Sequence, residues 1–153
     1  MTRTLPRSPT HAGGFSLIEL LIAIAILGIV GTIAYPSYLD SVRKGRRSDG
    51  MSALMSVQQA QERWRSNNAA YTGTLGDLGV SSVSASGFYD ISVSGAVATG
   101  YVATAVGKGG TTQADDTACR KLSVKLEGGN LSYAGCGSCA AFSYAPTHLC
   151  WAK

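Results

Sequence analysis

Apolar positions crowd one end of this chain. From Phe15 to Tyr35 only Ser16, Glu19 and Thr32 interrupt the apolar and small residues. At about 1.5 Å of rise per residue, a helix of that length crosses a hydrocarbon layer of roughly 30 Å. Beyond Pro36 the apolar positions thin out to a helical period: Tyr38, Leu39 and Val42, then Met51, Leu54, Met55 and Trp64, with Arg, Asp, Gln and Glu between them. This spacing predicts one long helix that runs to about Ser66 and ends near Asn67 and Asn68. Pro36 lies inside it and predicts a bend, because a mid-helix proline has no N–H to donate and presses on the preceding turn. Gly45 and Gly50 each lower helix propensity by about 1 kcal/mol relative to alanine, which leaves room for local melting.

The period then changes. Residues 69 to 86, rich in Gly and Ser, read as a loop, with Tyr71, Leu75 and Leu78 as anchors onto the helix. Phe88 to Val93 and Tyr101 to Val106 have strand composition with partial alternation. Leu122, Val124 and Leu126 share one face before a turn at Gly128-Gly129-Asn130 and a return over Leu131 to Tyr133. About four antiparallel strands packed on the C-terminal half of the helix follow, an α+β fold. At 153 residues the chain suffices for one globular unit and an anchoring segment, and is too short for two well-filled cores.

Charge and cysteines bear on compartment. The net charge is +4, and Arg3 and Arg7 precede the apolar run, so loss of a leader brings the mature chain near +2; that balance does not by itself imply nucleic acid. Cys119, Cys136, Cys139 and Cys150 all fall in the Gly-rich tail, the pattern of an extracytoplasmic disulfide framework. The basic cluster Arg43, Lys44, Arg46 and Arg47 just after the apolar run argues the other way, since such residues normally stay cytoplasmic. Positive charge on the other side of the run weakens that count, and the cysteines decide for an oxidising compartment.

An ordinary signal peptide has a shorter apolar core and a small-x-small cleavage site, of which Thr32-Ile33-Ala34 is a poor version. Neither that reading nor a plain anchor accounts for Glu19, because a carboxylate in hydrocarbon costs at least a few kcal/mol unless it is protonated, lifted to the interface or paired. A cut between Gly14 and Phe15 would create an α-amine at the same depth, available to Glu19 of an adjacent copy or of the same chain.

The stretch GGFSLIELLIAIAILGIVGTIAYPSY resembles the class III signal of type IV pilins, and RRSDGMSALMSVQQAQERW and NNAAYTGTLGDLGV are similar to the mid-helix and αβ loop of PilE-type minor pilins. The resemblance implies the type IV pilin fold: a long bent helix on a four-stranded antiparallel sheet, with a disulfide-bonded C-terminal loop. It implies a leader over residues 1–14, a transmembrane and filament-core helix over 15–41 and a periplasmic globular domain over 42–153. Prepilin peptidase would cut after Gly14 and methylate Phe15, Glu19 would pair with an N-terminal amine during docking, and Gly28 and Pro36 would soften and kink the helix. The function implied is that of a minor pilin, held in the inner membrane and assembled by the inner-membrane pilus machinery with other pilin subunits into an extracellular pilus. Twitching motility, adhesion or DNA uptake would follow. Two other roles share these features: a type II secretion pseudopilin, which more often lacks a C-terminal disulfide loop, and a tip pilin that binds DNA or a surface.

The chemical motifs fit a structural protein better than an enzyme. CGSC, residues 136–139, lacks the helix N-terminus that depresses a thioredoxin-type cysteine pKa. Cys119 and Cys150 form no second zinc knuckle beside it. Three disulfide pairings are possible. The resemblance favours Cys119 with Cys150 and Cys136 with Cys139, while a hairpin turning at Gly128-Gly129 also allows Cys119–Cys136 with Cys139–Cys150. His148 has no carboxylate pair or nucleophile around it and reads as a surface loop residue. Asp115 and Asp116 have too few oxygen-bearing neighbours at the right spacing for a calcium loop. No cofactor or metal is expected. The cluster at 43–47 reads as a solvated or intersubunit helix face, and nucleic acid, if bound, would more plausibly meet exposed Lys108, Arg120, Lys121 and Lys125.

Overall fold

The computed structural model describes residues 14–151. Its elements are helix α1 (Leu17–Arg65), strands β1 (Tyr89–Val97), β2 (Gly100–Gly107), β3 (Lys121–Glu127) and β4 (Asn130–Cys136), and a 3-10 turn at Leu149–Trp151. The chain divides into two units after Tyr38.

In the N-terminal unit, the Ser16 carbonyl accepts the N–H groups of Glu19 and Leu20 (3.1 and 3.2 Å) and starts the helix. Every residue from Gly14 to Tyr38 is exposed. A helix that is apolar all round and covered by none of the described residues needs lipid or other helices as its surroundings. Its most apolar 18-residue window has a mean hydropathy of 2.6. Helix α1 continues through Pro36.

In the C-terminal unit, α1 buries one side: Gly50, Leu54, Val57, Ala60 and Gln61, a spacing of three and four residues that keeps them on one stripe. The sheet is an antiparallel meander in the order β1-β2-β3-β4. Its inner face carries Tyr89 and Ile91 from β1, Tyr101, Ala103 and Ala105 from β2, and Leu122, Val124 and Leu126 from β3, which join Leu54 and Val57 in a single core. Val124 and Ala103, and Leu122 and Ala105, face each other across the ladder, so large residues on β3 meet small ones on β2 and the layer fills.

The helix does not melt at its glycines. Gly50 is buried, and a Cβ there would come within 3.0 Å of the Tyr89 ring; the absent side chain is what lets helix and sheet close together. The loop from helix to first strand is pinned by buried Gln61, whose Nε2 donates to the Thr72 carbonyl (2.6 Å) and whose Oε1 accepts the Thr72 N–H (3.2 Å). Tyr71, Leu75 and Leu78 pack against the core as expected. At the far end of the loop, Asp49 accepts the Ser84 hydroxyl (2.5 Å) and the Ser86 N–H (3.0 Å).

Strand β1 runs past the predicted end, through a bulge between Ser94 and Val97 where Gly95 has φ of 58°. Gly128 and Gly129, with φ of 56° and 84°, make the tight β3–β4 turn. After β4 the chain doubles back: Tyr133 and Ala145 exchange N–H···O bonds of 2.8 and 3.0 Å, which lays the tail along the outer edge of β4. The disulfides are Cys119–Cys150 and Cys136–Cys139.

Candidate functional site

Two regions carry chemistry, one in each unit. At the start of α1, Phe15 is 86% exposed and Glu19 lies in the first helical turn, where the partial positive charge of the helix N-terminus favours a carboxylate. Farther along, a Cβ at Gly28 or Gly31 would meet nothing within 4 Å. Among the described residues, nothing lies close enough to require glycine at either position.

The second region is the outer face of the sheet, opposite the core. Alternation along β3 places Lys121, Ser123 and Lys125 there, and the register sets them beside Val106, Thr104 and Val102 of β2, which in turn face Asp90, Ser92 and Ser94 of β1. Lys121 and Lys125 stand about 13 Å apart at strand rise. The tail crosses between them. Ser123 is fully buried, its hydroxyl donating to the Ala103 carbonyl (3.0 Å) and lying 2.9 Å from the Tyr144 hydroxyl. The Lys125 ammonium sits 5.7 Å from the centre of the Tyr144 ring, and Phe142 packs 5.9 Å from the same ring. Lys121 donates to the Cys139 carbonyl at 3.1 Å. Lys125 also pairs with Glu127 at 2.7 Å; that carboxylate is 74% exposed, and such a pair contributes little.

Of the four basic residues singled out in the sequence, β3 brings Lys121 and Lys125 onto one face. Lys108 follows β2 one step past Gly107, its N–H donating to the Phe88 carbonyl (2.9 Å). Arg120 has the opposite alternation, and its Nε is buried. All four are partly covered rather than exposed.

The cluster at 43–47 differs from expectation. Positions 43, 46, 47 and 50 share one side of α1, and that side faces the β2–β3 loop. Arg47 makes a two-point contact with Asp116 (2.7 and 2.9 Å), with the two side chains 12% and 2% exposed. Arg46 donates to the Thr112 hydroxyl and stacks 4.5 Å from the Phe88 ring centre, and Arg43 pairs with Asp40 at 3.2 Å. Only Lys44 in the cluster keeps the exposure of a solvated face. The same loop supplies buried Gln113, which donates to the Tyr89 hydroxyl (2.7 Å) and the Arg43 carbonyl (3.3 Å).

Asp116 is therefore a structural anion. Burial works to raise its pKa, but the Arg47 guanidinium and the N–H groups of Cys119 and Ala118 outweigh it and hold the carboxyl below its ordinary range. The adjacent acids Asp115 and Asp116 were half of the signal; the partner, 69 residues away, was not visible in the sequence.

The tail shows why glycines flank Cys136. A Cβ at Gly135 would lie 2.5 Å from that of Cys150, and one at Gly137 would overlap the Thr117 carbonyl oxygen at 1.7 Å. Both disulfides are thus packed against neighbouring backbone through glycine. With all four sulfurs bonded in pairs, none is a thiolate ligand. His148 is half-buried and accepts the Cys150 N–H through Nδ1 (3.2 Å).

A long N-terminal helix, apolar all round at its start and carrying a four-stranded antiparallel meander closed by a C-terminal disulfide loop, defines a type IV pilin. Residues 36–123 match the family described as type IV minor pilin ComP, DNA uptake sequence receptor, and residues 10–35 match the prokaryotic N-terminal methylation motif. The first match takes in more than half of the chain, and the chain belongs to that minor pilin family. It is similar to the fimbrial protein EcpC of Eikenella corrodens, 29% identical over 88% of each chain. It is similar also to the type IV major pilin protein PilA of Myxococcus xanthus, 32% identical over 43% of this chain and 30% of PilA. The type II secretion system core protein G of Pectobacterium carotovorum subsp. carotovorum is 28% identical over 40% of this chain and 39% of its own. The chain thus spans less than half of PilA and of core protein G. The N-terminal methylation motif and the apolar start of α1 fit a membrane-anchored pilin, and membership of the family implies assembly with other pilin subunits into pili.

Proposed function

We propose that this minor pilin is cut between Gly14 and Phe15 by prepilin peptidase, methylated at Phe15, and held in the inner membrane by residues 15–41 with residues 42–153 in the periplasm. Glu19 then pairs with the N-terminal amine of a neighbouring subunit as the copy enters the filament, while Gly28 and Pro36 give the helix room to bend and pack. The observation that carries this reading is Glu19, the one acid among the exposed apolar residues of the first turns of α1. Left unpaired in hydrocarbon it costs a few kcal/mol; a new amine at the same depth offsets that cost only after cleavage. The test is Glu19→Ala: the variant should be processed normally, shown by intact mass, yet be depleted from sheared pili. Normal incorporation of the variant would overturn the role of Glu19.

The role of the filament-borne domain is DNA uptake. The family description supports it, and so does the pair Lys121 and Lys125 on one sheet face, with Lys108 past the end of β2. Lysines spaced along a strand suit phosphates. Duplex DNA binding by the full chain in detergent should weaken in Lys121→Ala/Lys125→Ala. The log–log salt slope should fall by about 2, at roughly 0.9 for each phosphate that a lysine no longer neutralises. An unchanged slope would exclude these lysines.

A further inference from the structure

We propose that Cys136–Cys139 is a thiol–disulfide exchange site, and that opening it releases the tail segment that occupies Lys121 and Lys125. The inference rests on the DNA reading for its consequence, not for its chemistry.

The two disulfides are unequal in access. Cys119 and Cys150 are 4% and 3% exposed, inside the core cluster. Cys136 and Cys139 are half-buried, at the end of β4 where the chain leaves the sheet. An attacking thiolate needs an in-line approach to a sulfur, and only the second pair stands where a partner can reach it.

They are also unequal in what they restrain. Cys119–Cys150 joins residues 31 apart, whereas Cys136–Cys139 closes a ring over a separation of 3. Restriction of the unfolded chain grows with loop length, so opening the short ring leaves the fold's main covalent closure in place.

Its local hold is specific. Closure keeps Cys139 within 5.9 Å of Cys136, Cα to Cα, and there the Cys139 carbonyl takes the Lys121 ammonium. From that point the chain passes to Phe142 and Tyr144, which cover Ser123 and meet Lys125, before the bridge to β4 at Ala145. With the ring open, residue 139 loses its tether, its hydrogen bond to Lys121 goes with it, and the segment to Tyr144 is held only from its far end.

The reductant is a dithiol, of the kind carried by Cys-x-x-Cys oxidoreductases. One of its thiolates attacks a sulfur of the pair to give a mixed disulfide, expelling the other as a thiolate that takes up a proton. The second thiol of the reductant resolves the mixed disulfide. Two electrons and two protons pass to the pilin, which then carries two thiols, and the dithiol becomes a disulfide; oxidation of the pilin is the reverse.

The test uses the full chain in detergent, titrated with dithiothreitol, then alkylated with iodoacetamide and mapped by peptide mass. Cys136 and Cys139 should be alkylated at dithiothreitol concentrations that leave Cys119–Cys150 intact. Acetic anhydride labelling of Lys121 and Lys125 should rise severalfold over that of exposed Lys44 in the same samples. Cys136→Ser/Cys139→Ser should show the raised labelling without reductant. Simultaneous opening of both disulfides, or unchanged lysine labelling in both the reduced chain and the variant, would overturn the proposal. Duplex DNA binding is measured on the same samples. If labelling rises but no DNA binds in either state, the exchange site stands and the DNA reading fails; if labelling stays flat while Lys121→Ala/Lys125→Ala weakens DNA binding, the reverse holds.

Discussion

Replacing Asp116 by Asn tests the largest single electrostatic commitment in the C-terminal unit. The substitution keeps an oxygen for the Cys119 and Ala118 N–H groups, which now bond Asp116 Oδ1 at 2.9 and 3.2 Å, but strips the charge that faces Arg47. The guanidinium, 12% exposed, is left without its carboxylate, and removing one partner of a buried pair typically costs about 3–5 kcal/mol. Because Arg47 keeps some access to solvent, a loss of about 3 kcal/mol is expected. Arg47→Met should cost a similar amount by stranding the carboxylate, and the double variant should recover most of the loss, since no buried charge remains. Urea unfolding of the oxidised full chain, followed by tryptophan fluorescence, reads this unit alone, because both tryptophans, Trp64 and Trp151, lie in it. The pH dependence has a definite sign. The Asp116 pKa is lower in the folded than in the unfolded chain, so its stabilisation is complete above the unfolded carboxylate value near 3.9 and is lost as pH falls through the folded value. Asp116→Asn should remove that part of the acid sensitivity. Single variants that each lose under about 1 kcal/mol, as exposed pairs do, would refute the assignment of a buried, interdependent pair.

Two further substitutions test the packing. Gly50→Ala gains about 1 kcal/mol of helix propensity but drives a methyl into the Tyr89 ring at 3.0 Å; that ring is fully buried and tied through its hydroxyl to Gln113, so a net loss in urea stability is expected, and a gain would show that the ring yields. Gln61→Ala strands the Thr72 N–H and carbonyl, at about 1–3 kcal/mol, and should raise the rate of proteolysis within residues 72–80 well above that of the wild-type chain.

Much of the fold was legible because its period is regular. The helix predicted to about Ser66 ends at Arg65, and Leu122, Val124 and Leu126 lie on the inner face as their alternation required. What the sequence hid is what depends on contacts between distant segments. Gly50 carries a helix-weakening residue's signature, yet its role is set by a tyrosine on β1. Arg46 and Arg47 read as free charge because Thr112 and Asp116 sit in a loop with no period of its own. Ser123 alternates outward with the two lysines but is buried, because Tyr144 arrives from the tail to cover it. The lysine pair itself follows from strand alternation once β3 is placed; its occupancy by residues 139–144 does not.

The path of the tail along β4 has a consequence for crowded subunits waiting in a two-dimensional sheet of lipid. An open meander offers a row of unpaired peptide groups at each side, an invitation to irreversible zipping with the next copy. Here Ala145 occupies part of one side, while Ser82 and Ser84 bond Ile91 and Tyr89 on the other. Neighbours are steered toward joining through shape and side-chain chemistry, which can build a specific polymer without seeding a tangle.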